Sequence, residues 1–240
     1  MKSSLLRLAL LATVLLPATS ALAADLEPPP PELRAGYYDG LYLGVVGSAT
    51  SIDGHYDKYP DCAPGDTGCG PVDPEMSGTG FMGGVVAGFN YQMDSFLLGI
   101  ETDYMWGGQI ADNDEPAELT YYRLNGLGTI RARAGYVQDA ALFYVTGGYA
   151  YANTEFGGEV GPLGGSVDSS DQVWLNGWTV GGGMEYAFTD FLHGRMEYLY
   201  TKLEDGDYRL EDNNGFGGSV TNHTNGIHSI RAGITYNFSL

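Results

Sequence analysis

The chain has 240 residues, of which 30 are acidic and 11 basic, giving a formal net charge of −19 at pH 7. This acidity excludes nucleic acid as a partner, because nucleic-acid binding is carried by basic surfaces. The length fits a single domain if the fold is all β. No apolar run reaches the ~20 residues that a membrane-spanning helix needs.

Residues 1–23 are predicted to be an export signal. Lys2 and Arg7 supply the positive charge, Leu8 to Leu16 form a short apolar core, and Ala21-Leu22-Ala23 is a cleavage motif. The signal contains two of the 11 basic residues and no acidic one, so cleavage after Ala23 leaves 30 acidic residues against nine basic ones, a net charge of −21. An exported chain without a membrane helix is either soluble or a barrel in the outer membrane.

Residues 24–39 are predicted to form a proline-rich periplasmic linker. Pro28-Pro29-Pro30-Pro31 favours an extended, semi-rigid stretch over a strand, and we interpret it as a spacer. Beyond the linker, Cys62 and Cys69 fall in one predicted loop of an exported protein. This predicts a local disulfide, with two free thiols as the alternative.

Eight strand-like runs follow the linker, and most exceed the ~9–11 residues that cross a bilayer as a tilted strand. Their connections alternate between long and short, which is typical of outer-membrane barrels with short periplasmic turns and long external loops. The predicted strands are 40–48, 79–92, 96–106, 119–136, 141–153, 173–188, 191–203 and 225–238. The predicted long connections are 49–78, 107–118, 154–172 and 204–224.

Charged residues occupy one face of several strands whose opposite face is apolar or aromatic. Between Phe96 and Trp106 the odd positions carry Glu101 and Asp103, while the even positions carry most of the large apolar and aromatic side chains. This pattern is typical of a barrel whose outside meets lipid. Four acids and four arginines predict a self-neutralising ion network, because eight strands leave a narrow lumen. An ion pathway is the alternative. The network residues are Glu101, Asp103, Arg131, Arg133, Glu185, Arg195, Glu197 and Arg231.

Aromatic residues near the strand ends are predicted to form girdles at the lipid headgroups, and we assign them no ligand. They are Tyr104, Trp106, Tyr186, Phe188, Tyr198 and Tyr200. The last strand also has an alternating apolar face, ending in Ile234, Tyr236, Phe238 and Leu240. This face resembles the C-terminal signal read by the barrel-assembly machinery, which usually ends in an aromatic residue; here Leu240 takes the terminal apolar place.

These segments together resemble the small outer-membrane barrels of alphaproteobacteria, within the OmpA-like group of β-barrel domains. The resemblance covers about Gly40 to the end of the chain. It implies an abundant surface barrel of a Gram-negative outer membrane that stabilises the envelope and interacts with lipopolysaccharide. Porin and haem-binding activities of some members are not carried over, because no matching functional residues can be named. The matching stretches are 40–44, 99–104, 129–136, 144–149, 177–186, 195–200 and 231–238.

The sequence predicts no enzyme, cofactor or metal site. His228 and Ser229 are adjacent on a strand, so their side chains point to opposite faces and cannot act as base and nucleophile. The acidic stretches Asp112–Glu115 and Asp205–Asp207 carry oxygen ligands that calcium prefers, but neither fits a full calcium loop. We interpret them as solvated loops, with divalent cations or host ligands as candidate partners.

We therefore predict an all-β fold over residues 40–240, an eight-stranded antiparallel up-and-down transmembrane barrel. Its predicted role is non-enzymatic, in envelope structure and surface interaction, with the lumen plugged by the ion network. A narrow porin passing small ions or solutes is the alternative. An outer-membrane lipid hydrolase is a third reading, for which we find no Ser/His/acid set on one strand face.

Overall fold

The computed structural model describes residues 36–60, 75–112, 120–160, 167–211 and 217–238. The regular structure in these ranges consists of antiparallel β-strands. Within the same ranges, no helix is long and apolar enough to cross a membrane. The strands are β1 (Gly40–Pro60), β2 (Glu75–Met93), β3 (Phe96–Asp112), β4 (Thr120–Gln138), β5 (Ala141–Val160), β6 (Val167–Ala187), β7 (Leu192–Leu203), β8 (Gly206–Glu211) and β9 (Gly217–Phe238).

Eight strands close into a barrel in the order β1 to β7 and then β9, which pairs with β1. The predicted eight-stranded antiparallel barrel is therefore confirmed. Tight turns join β2 to β3, β4 to β5 and β6 to β7. Asp94 and Asp139 hold two of these turns in the left-handed region, with φ of 52° at each, a conformation that Asp adopts more readily than most residues. The tight turns mark the periplasmic end of the barrel, and the long connections mark the extracellular end.

The short strand β8 continues β7 rather than widening the barrel. Thr201 of β7 lies opposite Ile227, and Gly206 of β8 lies opposite Asn222, five residues further along both strands. Residues 204–224 had been predicted as one long loop. The structure shows instead that part of this connection extends the barrel wall.

Six of the eight barrel strands extend beyond their predicted bounds at the extracellular end, whereas β4 and β7 do not. β1 ends at Pro60 rather than at the predicted Ser48, and β9 begins at Gly217 rather than Asn225. The 20 residues of β5 rise about 50 Å along the barrel axis at ~3.3 Å per residue and a tilt of ~40°. The apolar band of such barrels is only ~25 Å tall, so the extracellular part of the wall lies in water.

The pattern of inward and outward side chains changes along the barrel axis. In the periplasmic half, Leu43 and Val45 are exposed on the outer face while charged residues point inward. In the extracellular half, Asp53 is exposed and apolar residues such as Ile52 are buried. We call the buried apolar residues of this half the extracellular core. They are Val46, Ile52, Met82, Met105, Tyr122, Leu124, Leu127, Ala152, Phe156, Leu175, Leu203, Tyr208 and Ile227.

Candidate functional site

All eight charged residues singled out from the sequence are buried inside the barrel, the most exposed at 4%. Strand alternation explains this, because residues two apart on a strand share a face. Glu101 and Asp103 come from β3, Arg131 and Arg133 from β4, and Glu185 from β6. Arg195 and Glu197 come from β7, and Arg231 from β9.

Glu101 lies at the centre of this ion network. Arg195 donates from Nη1 to Oε2 at 2.6 Å and from Nη2 to Oε1 at 3.0 Å, which is a two-pronged ion pair. Arg131 also pairs with Oε1, and Arg133 donates from Nη1 to Oε2 at 3.2 Å. The Tyr42 hydroxyl donates to Oε2 at 2.5 Å. One carboxylate thus contacts three guanidinium groups and a phenol.

Asp103 and Glu197 share arginines with Glu101 and also pair with Arg231. Asp103 accepts from Arg131 at 2.9 Å and from Arg231 at 3.0 Å. Glu197 lies 3.0 Å from Arg131 Nη1 and 3.1 Å from Arg195 Nη2. Arg131 therefore contacts three carboxylates, which offsets the cost of burying its charge.

Arg133 lies between two tyrosine rings at the periplasmic side of the network. Its guanidinium carbon is 5.3 Å from the Tyr42 ring centroid and 4.6 Å from that of Tyr144, within the range of cation–π attraction. Its Nη1 donates to Glu185 at 2.8 Å. The Tyr144 hydroxyl donates to Glu197 at 3.0 Å. Strand alternation placed both tyrosines inward, but their part in the network was not predicted.

A turn ahead of β1 fills the periplasmic mouth. We call residues Gly36–Asp39 the tyrosine plug. Asn90 of β2 donates to the Tyr38 carbonyl at 3.1 Å, and Asn237 of β9 donates to the Tyr37 carbonyl at 2.6 Å. The Tyr38 hydroxyl donates to the Ala140 carbonyl, in the turn between β4 and β5, at 3.0 Å. Burial raises the pKa of Tyr38, so its phenol stays protonated as a donor.

The two tyrosine rings pack among residues from most of the barrel wall. The Tyr38 ring centroid is 4.7 Å from that of His193 on β7. Residues 24–39 had been predicted as a linker ahead of the barrel, but the described part of it packs inside the barrel. The feature of the sequence that could have predicted this packing is the pair of adjacent tyrosines, Tyr37 and Tyr38, between the proline run and the first strand. The buried cluster comprises Tyr37, Tyr38, Leu97, Val137, Leu142, Tyr144 and Ala187.

The extracellular core fills the other side of the network. Tyr208 of β8 is 1% exposed, its ring centroid is 5.5 Å from that of Phe156, and its hydroxyl lies 2.8 Å from that of Thr154. Burial raises the pKa of the Tyr208 phenol, which remains neutral. The described lumen thus contains three stacked layers: the tyrosine plug, the ion network and the extracellular core.

The histidines do not form a hydrolase-like group with the neighbouring serine. His228 is exposed on the outer wall, where Nδ1 lies 2.7 Å from the Tyr198 hydroxyl, whereas Ser229 is buried inside. His193 is inward and buried.

The acidic stretch Asp205–Asp207 makes local contacts. Asp205 lies 3.0 Å from Nδ1 of His223, and Asp207 accepts from the Thr221 hydroxyl at 2.9 Å. Across the described residues, no group of three or more His, Cys, Asp or Glu could hold a metal ion. Of the stretch Asp112–Glu115, only Asp112 lies within the described ranges.

Several predicted features lie outside the described residues and remain predictions. They are the export signal, Cys62, Cys69 and Leu240. Ile234, Tyr236 and Phe238 of the predicted assembly signal are exposed together on the outer face of β9.

Comparisons with known proteins agree with this architecture. Residues 8–238 match the family model described as outer membrane protein beta-barrel domain. The chain is 33% identical over 238 residues to the 31 kDa outer-membrane immunogenic protein of Brucella melitensis biotype 1, covering 92% of this chain and 95% of that one. It is 30% identical over 182 residues to the 22 kDa outer membrane protein of Rhizobium leguminosarum bv. viciae, covering 75% and 72%. The crystal structure of the outer membrane protein OprG from Pseudomonas aeruginosa shares the fold, with a TM-score of 0.54 at 14% identity over 86% of this chain and 99% of that one.

Proposed function

Because this chain belongs to the outer membrane protein beta-barrel domain family, we propose that it is a non-enzymatic envelope protein whose lumen is closed by the ion network. As a Gram-negative outer-membrane barrel, it offers its outer wall to lipid and its long connections to the exterior. The proposed role is to contribute to envelope structure and to surface interactions.

The pairing of Glu101 with Arg195 carries the proposal for the lumen. β3 and β7 are four strands apart in the closed order of eight, so the two residues face each other from opposite walls. Their two-pronged contact spans the lumen, and this supports a lumen that is closed to water and ions at this level. Because four acids balance four arginines, no net charge remains to attract a permeating ion.

The separation of His228 from Ser229 supports a non-enzymatic role, since a hydrolase needs its nucleophile and base within hydrogen-bond reach. The curated relatives are named as outer-membrane proteins rather than enzymes. One of them is named immunogenic, which favours surface exposure of this chain as well. We propose outer-membrane lipid, lipopolysaccharide and the barrel-assembly machinery as partners, with divalent cations or host ligands at the acidic loops.

Single-channel recording in planar bilayers tests the closed lumen against a narrow porin. We expect the full chain to show no steady conductance steps, because the ion network and the layers on both sides of it fill the lumen. A double variant, Arg133→Ala with Glu197→Ala, removes one charge of each sign and should conduct. Steady conductance from the unsubstituted chain, enlarged by either substitution, would establish the porin and overturn the closed lumen.

A further inference from the structure

A bulge in the extracellular half of the barrel changes the face on which the residues of β9 lie. The register between β1 and β9 slips by one residue beside Gly54. On the membrane side of the slip the odd-numbered Ile227 is buried in the lumen, whereas beyond it the buried residue is the even-numbered Asn222. An extra residue in one strand turns the side chains beyond it to the opposite face. His223 therefore lies on the outer face.

The bulge brings two histidines side by side on this face. His55 of β1 lies directly opposite His223 of β9, and their rings stack with centroids 4.9 Å apart and planes inclined at 23°. A regular ladder would place Thr224 opposite His55 and would turn His223 into the lumen. The histidine pair thus depends on the extra residue in β9.

Carboxylates on both sides of β9 face the two ring nitrogens of His223. Nδ1 lies 3.0 Å from Oδ2 of Asp205, just ahead of β8, which is a normal hydrogen-bond distance. Nε2 lies 3.5 Å from Oδ2 of Asp57 on β1, which is longer than the ~2.7–3.2 Å of an ordinary hydrogen bond. The side chains of His223 and Asp57 are 28% and 33% exposed, so an ion in solution can reach the gap between them.

The gap between Nε2 of His223 and Asp57 matches the span of a bridging metal ion. Zinc binds imidazole nitrogen at ~2.0–2.1 Å and carboxylate oxygen at ~2.0–2.2 Å, so two donors of a tetrahedral site lie about 3.4 Å apart. A histidine that binds metal almost always donates its other N–H to a carboxylate, a carbonyl or water, which orients the ring. Asp205 is placed to accept that bond from Nδ1.

As these side chains are placed, two donors face the gap. This agrees with the finding that the described residues contain no preformed group of three or more metal-binding side chains. The stacked ring of His55 is the available third ligand, because rotation about its side-chain torsions can turn a ring nitrogen toward the same gap. The arrangement is therefore an open site that a bound ion would complete.

Acidic side chains outnumber basic ones on this part of the outer wall, which favours a cation. The comparison covers the side chains that the structure describes on β1 and from the end of β7 through β8. The acidic ones are Asp53, Asp57, Glu204, Asp205 and Asp207, and the basic ones are Lys202 and Arg209.

We propose that His223, Asp57 and His55 bind a first-row transition metal ion such as Zn²⁺ or Cu²⁺, with Asp205 as a positioning residue. Imidazole suits these ions, whereas Ca²⁺ and Mg²⁺ prefer oxygen ligands. The inference rests on the proposed divalent cation at the acidic stretch Asp205–Asp207 and narrows it to a transition metal held by histidine. Such an ion ties β1 to β9 in the part of the wall that lies in water.

Isothermal titration of the refolded chain with zinc chloride tests the site. The chain carries no added histidine tag, and Cys62→Ser with Cys69→Ser removes thiols that would bind zinc themselves. We expect saturable binding of one ion per chain, which His223→Ala abolishes. Asp205→Asn should weaken binding about tenfold, as expected for a residue that only orients a ligand.

His228→Ala is the matched control, because His228 is an exposed histidine of the same strand whose Nδ1 contacts the Tyr198 hydroxyl. It should bind zinc like the parent chain, and a heat-dependent shift in gel mobility verifies folding of each variant. Equal losses in His223→Ala and His228→Ala, or no saturable binding of zinc, would overturn the site. Calcium binding without zinc binding would retain the proposed cation and overturn the transition metal.

Electron paramagnetic resonance of bound Cu²⁺ tests the part played by His55. The nitrogen splitting should indicate two imidazole ligands in the parent chain and one in His55→Ala. An identical spectrum from both would overturn His55 as a ligand. Bilayer conductance tests the closed lumen separately, because this cluster lies on the outer face of the wall.

Discussion

Tyr38 and His193 pack ring against ring at the periplasmic mouth, with centroids 4.7 Å apart and planes inclined at 60°. The contact joins the turn ahead of β1 to β7, which comes late in the chain. The plug carbonyls accept bonds from Asn90 on β2 and Asn237 on β9. Because these three partners lie on β2, β7 and β9, the plug can be completed only when the barrel has closed.

We expect Tyr38→Ala to open the periplasmic mouth to solvent. The ring is fully buried, so its loss should lower the free energy of unfolding by about 3 kcal/mol. His193 should then react with diethyl pyrocarbonate, which mass spectrometry of the peptides detects. Tyr91→Ala is the control, because that ring is 57% exposed on the outer wall. Equal His193 labelling in both variants would show that Tyr38 does not shield the mouth.

Removing both partners of the central ion pair should cost less than the two single removals added together. Glu101→Gln leaves three guanidinium groups around a neutral side chain, and we expect a loss of about 3–5 kcal/mol in the free energy of unfolding. Combining it with Arg195→Gln should cost less than the sum of the single changes, by about 0.5–3 kcal/mol. Denaturant titration of all three variants measures the coupling, with exposed Glu204→Gln as control. Strict additivity would contradict a coupled network.

Adjacent glycines on β2 should respond in opposite ways to alanine. A Cβ at Gly84 would lie 2.6 Å from Met105 Sδ and 2.9 Å from Met105 Cα, so Gly84→Ala should hinder closure of the β2–β3 wall. A Cβ at outward Gly83 meets nothing within 4 Å. Gly83→Ala should therefore be neutral or stabilise by about 0.5 kcal/mol. The folded fraction after refolding measures both, and the idea fails if Gly84→Ala refolds like Gly83→Ala.

The water-exposed part of the barrel should depend on Tyr208. Tyr208→Ala removes a buried ring that packs on Phe156, so we expect faster proteolysis of the extracellular end while the membrane part stays intact. Tyr208→Phe keeps the ring but loses the hydroxyl contacts with Thr154 and Tyr122 and should cost about 1 kcal/mol. Arg209→Ala changes the next, outward residue and serves as control. An unchanged cleavage pattern in Tyr208→Ala would contradict the proposed packing role.

The sequence by itself determined which face of each membrane-crossing strand points inward. Residues two apart share a face whatever the rest of the chain does, so Glu101 and Arg131 could be assigned to the lumen without knowing their partners. The number of barrel strands and the sidedness of the connections followed from the same local alternation and from the spacer lengths. Those predictions needed no information about contacts distant in the sequence.

Only the tertiary structure decided which groups meet across the lumen and where the wall ends. Glu101 meets Arg195, 94 residues away, because closure and stagger of the barrel fix their relative heights. β1 continues past Ser48 to Pro60, but its apolar outer face stops where the medium outside changes from lipid to water, because the burial pattern inverts there. A prediction based on the lipid-facing pattern therefore ends the strand too early. Tyr38 fills the mouth for a similar reason, since its partners come together only in the closed barrel.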